Sequence, residues 1–252
     1  MLDSEYLDGV QRERVRARLQ RFVSDAVAHA LGPLFAAEAR AEADPALRGP
    51  LHRVVEAGGL VPGATEADVP PELRGPLKAL GVRAGRFALF VPVLLKPRAA
   101  AMRAALWALR HGARTPALPA PGSVSLAPPA EWPPGFDRAM GWLPAGPVLL
   151  RLDVAERVAA ELAHATRVRA AAVPADLASR LAVRAEAVPA VLRALGVRLA
   201  PGGSLGAEQY GPPAPPMMLP RRKAERPKPA AHAVPPPRAV EGPFAALRAL
   251  RR

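Results

Sequence analysis

Pro212, Pro213, Pro215, Pro216, Pro220, Pro227, Pro229, Pro235, Pro236 and Pro237 crowd one short stretch, and they limit where this chain can fold. Proline fixes φ and donates no backbone hydrogen bond, so so dense a run sustains neither a helix nor a strand ladder. The basic run Arg221-Arg222-Lys223 lies inside it. Residues 201–252 are therefore expected to form a disordered basic tail. Its end, GPFAALRALRR, regains helical spacing through Phe244, Leu247 and Leu250, a segment that either docks on a partner or frays.

Folding is thus left to the first 200 residues, and half of the 252 residues are apolar, enough for a core. The patterns predict a mainly α protein with short β-strands. Three parts are expected before the tail: a helical domain over 1–112, a Pro-rich linker over 113–135, and a small α/β module with a helix-turn-helix-like pair over 136–200. Residues 5–31 read as one long helix, with Val15, Leu19, Phe22 and Ala26 at core spacing and Gly32-Pro33 as its end. A second helix is expected from 33 to 43, and a short one over 51–57. Asp153 and Glu156 resemble a capping box opening a helix that runs to Ala165.

The stretch GRFALFVPVLLKPRAAAMRAALWALRHG, residues 85–112, joins an apolar strand to an arginine-rich helix. Pro92 should end the strand's pairing, and Pro97 suits a first helical turn. Met102, Ala105, Leu106 and Leu109 form one stripe of that helix, expected to face the core. Arg103, Trp107 and Arg110 form another. An indole between guanidinium groups can stack a base while the cations hold phosphates, with Lys96 and Arg98 adding contacts at the helix start. The alternative is that Trp107 packs at the core edge and the arginines are solvated.

Charge supports the first reading. The formal net charge is +13, which favours polyanions. Residues 176–205 have the outline of a helix-turn-helix, with Arg180, Arg184, Arg193 and Arg198 able to meet a phosphate backbone. Base reading there is weak: the outer side of the second helix offers Glu186, Ala187, Pro189, Ala190 and Arg193, and only the arginine suits a base edge.

Other chemistries find little footing. There is no cysteine, so no disulfide, thiolate nucleophile or Cys-bound zinc is available, as in a reducing compartment. His29, His52, His111, His164 and His232 are not spaced as metal ligands. No cofactor and no metal are expected. No apolar run reaches the roughly 20 residues that span a bilayer. The acidic start, Met1 to Asp8, does not look like a secretion signal. A cytoplasmic location is expected.

The segment Leu80 to Gly112, LGVRAGRFALFVPVLLKPRAAAMRAALWALRHG, resembles the region downstream of the motor in α-proteobacterial superfamily 2 helicases, relatives of the mitochondrial degradosome RNA helicase. LQRFVSDAVAHALGPLFAAEARA, ALRGPLHRVVEAGGLVPG and PPGFDRAMGWLPAGPVLLRLDVAERVAAEL are similar to the same region, so the likeness covers roughly residues 7–200. It implies an accessory part that braces a motor and guides RNA or single-stranded DNA. No catalytic residue carries over. A motor of this class needs a G-x-x-x-x-G-K-[ST] phosphate loop, and none occurs here, so ATP hydrolysis is not expected from these residues. Two other functions fit the pattern: a protein-interaction module docking on a separate motor or nuclease, and a winged-helix transcription regulator.

Overall fold

The structure, a computed structural model, describes residues 8–41, 44–203 and 215–220. Helix α1 (Gly9–Ala41) is followed by α2 (Pro45–Glu56), whose first turn is capped by the Asp44 carboxylate accepting from the Ala46 N–H at 3.0 Å. Strand β1 (Leu60–Pro62), helix α3 (Pro71–Ala79), and strands β2 (Arg83–Ala84) and β3 (Ala88–Phe90) come next. All the sheets are antiparallel and three-stranded, and the first has the order β1-β3-β2 with Leu60 opposite Phe90. Proline then redirects the chain as expected. Pro92 opens a short 3-10 turn to Leu95, and Pro97 is the first residue of α4 (Pro97–Arg110).

The second part begins with β4 (Ser125–Leu126), α5 (Phe136–Ala139), β5 (Trp142–Ala145), β6 (Val148–Arg151) and α6 (Leu152–Ala165). Its sheet has the order β4-β6-β5. Strand β7 (Ala171–Ala172), the short helices α7 (Leu177–Arg180) and α8 (Val188–Ala194), and strands β8 (Arg198–Ala200) and β9 (Met217–Leu219) complete it, with sheet order β7-β9-β8. The α7–α8 pair supplies the helix-turn-helix-like element, and Leu177, Leu181, Val191, Leu192 and Leu195 are buried in one cluster with α6.

Five expectations are corrected. First, α1 does not end at Gly32-Pro33: Pro33 lies inside it. The turn beyond carries Leu34 and Ala37 into the core beside α2, and that packing outweighs the lost backbone bond. Second, α2 starts at Pro45, well before residue 51. Third, residues 113–135 are more than a linker. Ser125–Leu126 pairs with β6, and Leu118 and Trp132 pack against buried Phe136 and Trp142. Fourth, Met217–Leu219, inside the expected tail, is the central strand of the third sheet, and Met218 is fully buried. A three-residue strand that ends before Pro220 escapes the proline restriction. Residues 204–214 and 221–252 of the tail, the amphipathic end included, lie outside the described residues.

The fifth correction concerns α6. Arg151 occupies its N-cap position and makes no side-chain cap. Asp153 instead accepts from the Arg151 guanidinium at 2.6 Å. Glu156 turns away from its own helix and accepts from the backbone N–H groups of Arg86 and Phe87, each at 2.8 Å. One buried carboxylate thereby ties the β2–β3 turn to α6. A side chain at Gly85 would run into it, which is why glycine stands there.

Candidate nucleic-acid interface

Helix α4 departs from expectation: of Met102, Ala105, Leu106 and Leu109, Met102 packs against the core. Its buried residues are Ala99, Arg103, Ala104 and Ala108, while Ala105, Leu106 and Leu109 face outward, Leu109 at 79 % exposure. Three alanines let α4 come close to its neighbours. The arginine fills what they leave.

Arg103 is 4 % exposed. Its Nε donates to the Gly58 carbonyl at 2.8 Å, Nη1 to Leu94 at 3.4 Å, and Nη2 to Ala139 at 2.5 Å. No carboxylate is among these partners, and burial alone lowers its pKa to about 10. The expected phosphate contact at Arg103 is therefore corrected: this guanidinium joins α4 to the loop after α2, to the turn before α4 and to α5, and it does not reach solvent.

Trp107 is half-buried. His111, one turn later, stacks on it with ring centroids 4.0 Å apart, and Phe136 meets it edge-on at 5.0 Å. The His111 Nδ1 lies 2.8 Å from the Trp107 carbonyl, which fixes the imidazole over the indole. Core-edge packing is thus what Trp107 does in this fold, and one ring face is already covered.

Lys96, Arg98 and Arg110 are exposed. Lys96 and Arg98 stand at the start of α4 and Arg110 at its end, about 20 Å away along the axis. The candidates on this helix do not converge on one site.

The α7–α8 region divides similarly. Arg180 is held by Glu161, donating from Nη1 at 2.9 Å and from Nη2 to the other carboxylate oxygen, with Asp176 at 3.9 Å. Glu161's pKa is lowered, first by that hydrogen bond, and Arg180's is raised by it. Arg184, Arg193 and Arg198 are exposed. On the would-be recognition helix, Ala190 packs against the β5–β6 turn, so that a Cβ at Gly146 would sit 3.1 Å from Ala190 Cβ. That face of α8 is occupied and is not open to a groove.

A grouping that sequence reading missed lies at the end of the third sheet. Arg198 is opposite Leu219 on β9, and its Nη1 donates to the Pro220 carbonyl at 3.4 Å. On the other side of β9, Ala171 is opposite Met218, and exposed Arg169 precedes β7 by two residues. The chain enters β7 through Arg169 at the end of β9 that Arg198 flanks from the other side. Arg167 is exposed just upstream. The sequence continues from Pro220 into Arg221, Arg222 and Lys223, which lie outside the described residues. Only the pairing of β7 and β8 through β9 reveals this grouping, since its members are far apart in sequence.

Among the described residues, no three His, Asp or Glu side chains gather as metal ligands, and no helix is long and apolar enough to cross a membrane. Comparison of the chain with protein-family models, with curated proteins and with solved structures returned no match.

Proposed function

We propose that this protein is an accessory, nucleic-acid-binding part of a helicase-related system, acting in the cytoplasm and holding RNA or single-stranded DNA through phosphates. The observation that carries the reading is the exposure of two arginines near one end of the third sheet, Arg198 on β8 and Arg169 two residues before β7. Exposed guanidinium groups suit bidentate phosphate contacts. Arg184, Arg193, Lys96, Arg98 and Arg110 are further exposed cations for the same polyanion, and the overall charge of +13 adds a long-range pull. The segment resemblance over residues 7–200 supports the helicase relation. With no phosphate-cradling loop among the 252 residues, movement along a strand would be driven by a motor elsewhere.

The experiment is binding of a labelled single-stranded oligonucleotide to the full chain and to the double variant R169Q/R198Q. The proposal expects about a tenfold loss, the same for unrelated sequences, as for phosphate contacts. Unchanged affinity would reject the site.

A further inference from the structure

Helix α1 carries an unbroken apolar ridge at i, i+4 spacing: Val15, Leu19, Val23, Val27, Leu31 and Phe35. Its two halves differ in surroundings. Leu31 is buried and Val27 packs against the core. Leu19 is 47 % exposed, Val23 56 %, and Phe22, on the adjoining row, 70 %. The ridge is therefore exposed over Leu19 and Val23, between the half-buried Val15 and the core-packed Val27. At its inner end it enters a cleft of about 550 Å³, walled by Val27, Leu31 and Phe35 on one side and by Leu106, Trp107 and Arg110 of α4 on the other.

Charge lines this apolar band. Arg14 and Arg18 form the margin beside Phe22, and Arg12 and Arg16 the margin beside Leu19 and Val23, where Arg16 bonds Glu13 at 2.8 Å. Between Gly9 and Ala26 the helix holds five arginines against two acids. At the cleft the charge is mixed: Arg110 and His111 stand on one wall and Glu56 on another.

We propose that this band and cleft form a docking groove for an acidic amphipathic helix of a partner protein. An apolar stripe edged with Asp or Glu would lie along the ridge, with its acids against Arg14, Arg16 and Arg18. A second copy of this chain fits less well, because its own arginine-lined margins would face these. An anionic lipid surface matches the charge but is flat, and it cannot follow the ridge into a concave cleft. The inference is independent of the nucleic-acid proposal, since it uses neither Arg169 nor Arg198.

The test uses the nuclease-treated full chain and a library of helical peptides with a fixed leucine stripe and margin positions varied among Glu, Gln and Lys. Glu-margined peptides should be recovered preferentially. They should bind the double variant L19E/V23E at least about tenfold more weakly, since central apolar contacts dominate helix-in-groove affinity. Both positions are exposed, and circular dichroism of the variant checks that its fold is kept. Recovery of Lys-margined peptides, indifference to margin charge, or unchanged binding to L19E/V23E would overturn the proposal. So would a wild-type dimer in sedimentation that L19E/V23E dissolves, or binding to anionic vesicles that displaces the selected peptide.

Discussion

The Glu156 carboxylate receives the backbone N–H groups of both Arg86 and Phe87 at 2.8 Å, across about seventy residues of sequence. Each oxygen takes one amide, so the bond to the turn is bidentate and charge-assisted. Gly85 leaves the room that the carboxylate needs. The contact joins the first sheet to α6, beside the buried cluster in which Leu60, Ala88 and Phe90 meet Leu152.

Replacing Glu156 with Gln should lower unfolding free energy by about 2 kcal/mol, because the amide nitrogen of Gln would face an N–H that needs an acceptor. Chemical denaturation measures the loss. A Gly85→Ala substitution should destabilise through the same contact, and the two costs should fall short of additive in the double variant, as for groups that touch. Additive costs would mean that the two residues act separately.

Arg103 makes the opposite use of a charge. An Arg103→Met variant leaves the carbonyls of Gly58, Leu94 and Ala139 without their donor, at a cost of about 3 kcal/mol or more. The expected signature is a large drop in melting temperature, with oligonucleotide affinity preserved at temperatures where the variant stays folded. Lost affinity in the folded variant would return Arg103 to the binding surface.

The Glu161–Arg180 pair gives a pH prediction. Glu161 ionises more easily in the folded state than its ordinary value of 4.5 because Arg180 bonds the carboxylate. A lowered carboxylate pKa stabilises the fold above the unfolded value, and that help fades as pH falls through 4.5 and then through the folded value. The Arg180 and Glu161 side chains are 33 % and 47 % exposed, so solvent screening keeps the effect on stability small. Carbon-detected NMR titration of the Glu161 side chain should place its midpoint below 4.5 in the native chain, rising toward 4.5 in R180Q. A midpoint indifferent to R180Q would contradict the pairing.

Trp107→Phe should leave oligonucleotide affinity within about twofold, since the indole packs under His111 and against Phe136 as part of the core edge. Trp107→Ala should instead cost stability, about 3 kcal/mol at most for a half-buried ring. A selective loss of binding in W107F, read by fluorescence anisotropy, would mean that the indole stacks on bases after all.

Proline made two element ends legible. Pro92 ends the pairing of β3 and Pro97 begins α4, where local backbone rules put them. The mainly α class with short strands followed from apolar spacing. Faces were read less well. On α4, leucines were assigned to the core and Arg103 to solvent, yet small alanines set the close contacts and backbone carbonyls satisfy the arginine. On α1, Leu19 and Phe22 have the spacing of core residues but are exposed, which periodicity alone does not reveal. Strand β9 is hidden among prolines because three residues carry too little pattern. That Arg169 and Arg198 lie near one end of the same sheet depends on that strand, so it too was out of reach.

The central claim is that phosphates carry the binding. Its most direct test is the affinity of the full chain for a single-stranded oligonucleotide at salt concentrations from about 50 to about 200 mM. The account predicts a linear fall of log affinity with log salt, and a slope made shallower by roughly one unit for each of Arg169 and Arg198 that is replaced by Gln. A flat salt dependence, or a slope unchanged in R169Q/R198Q, would contradict it.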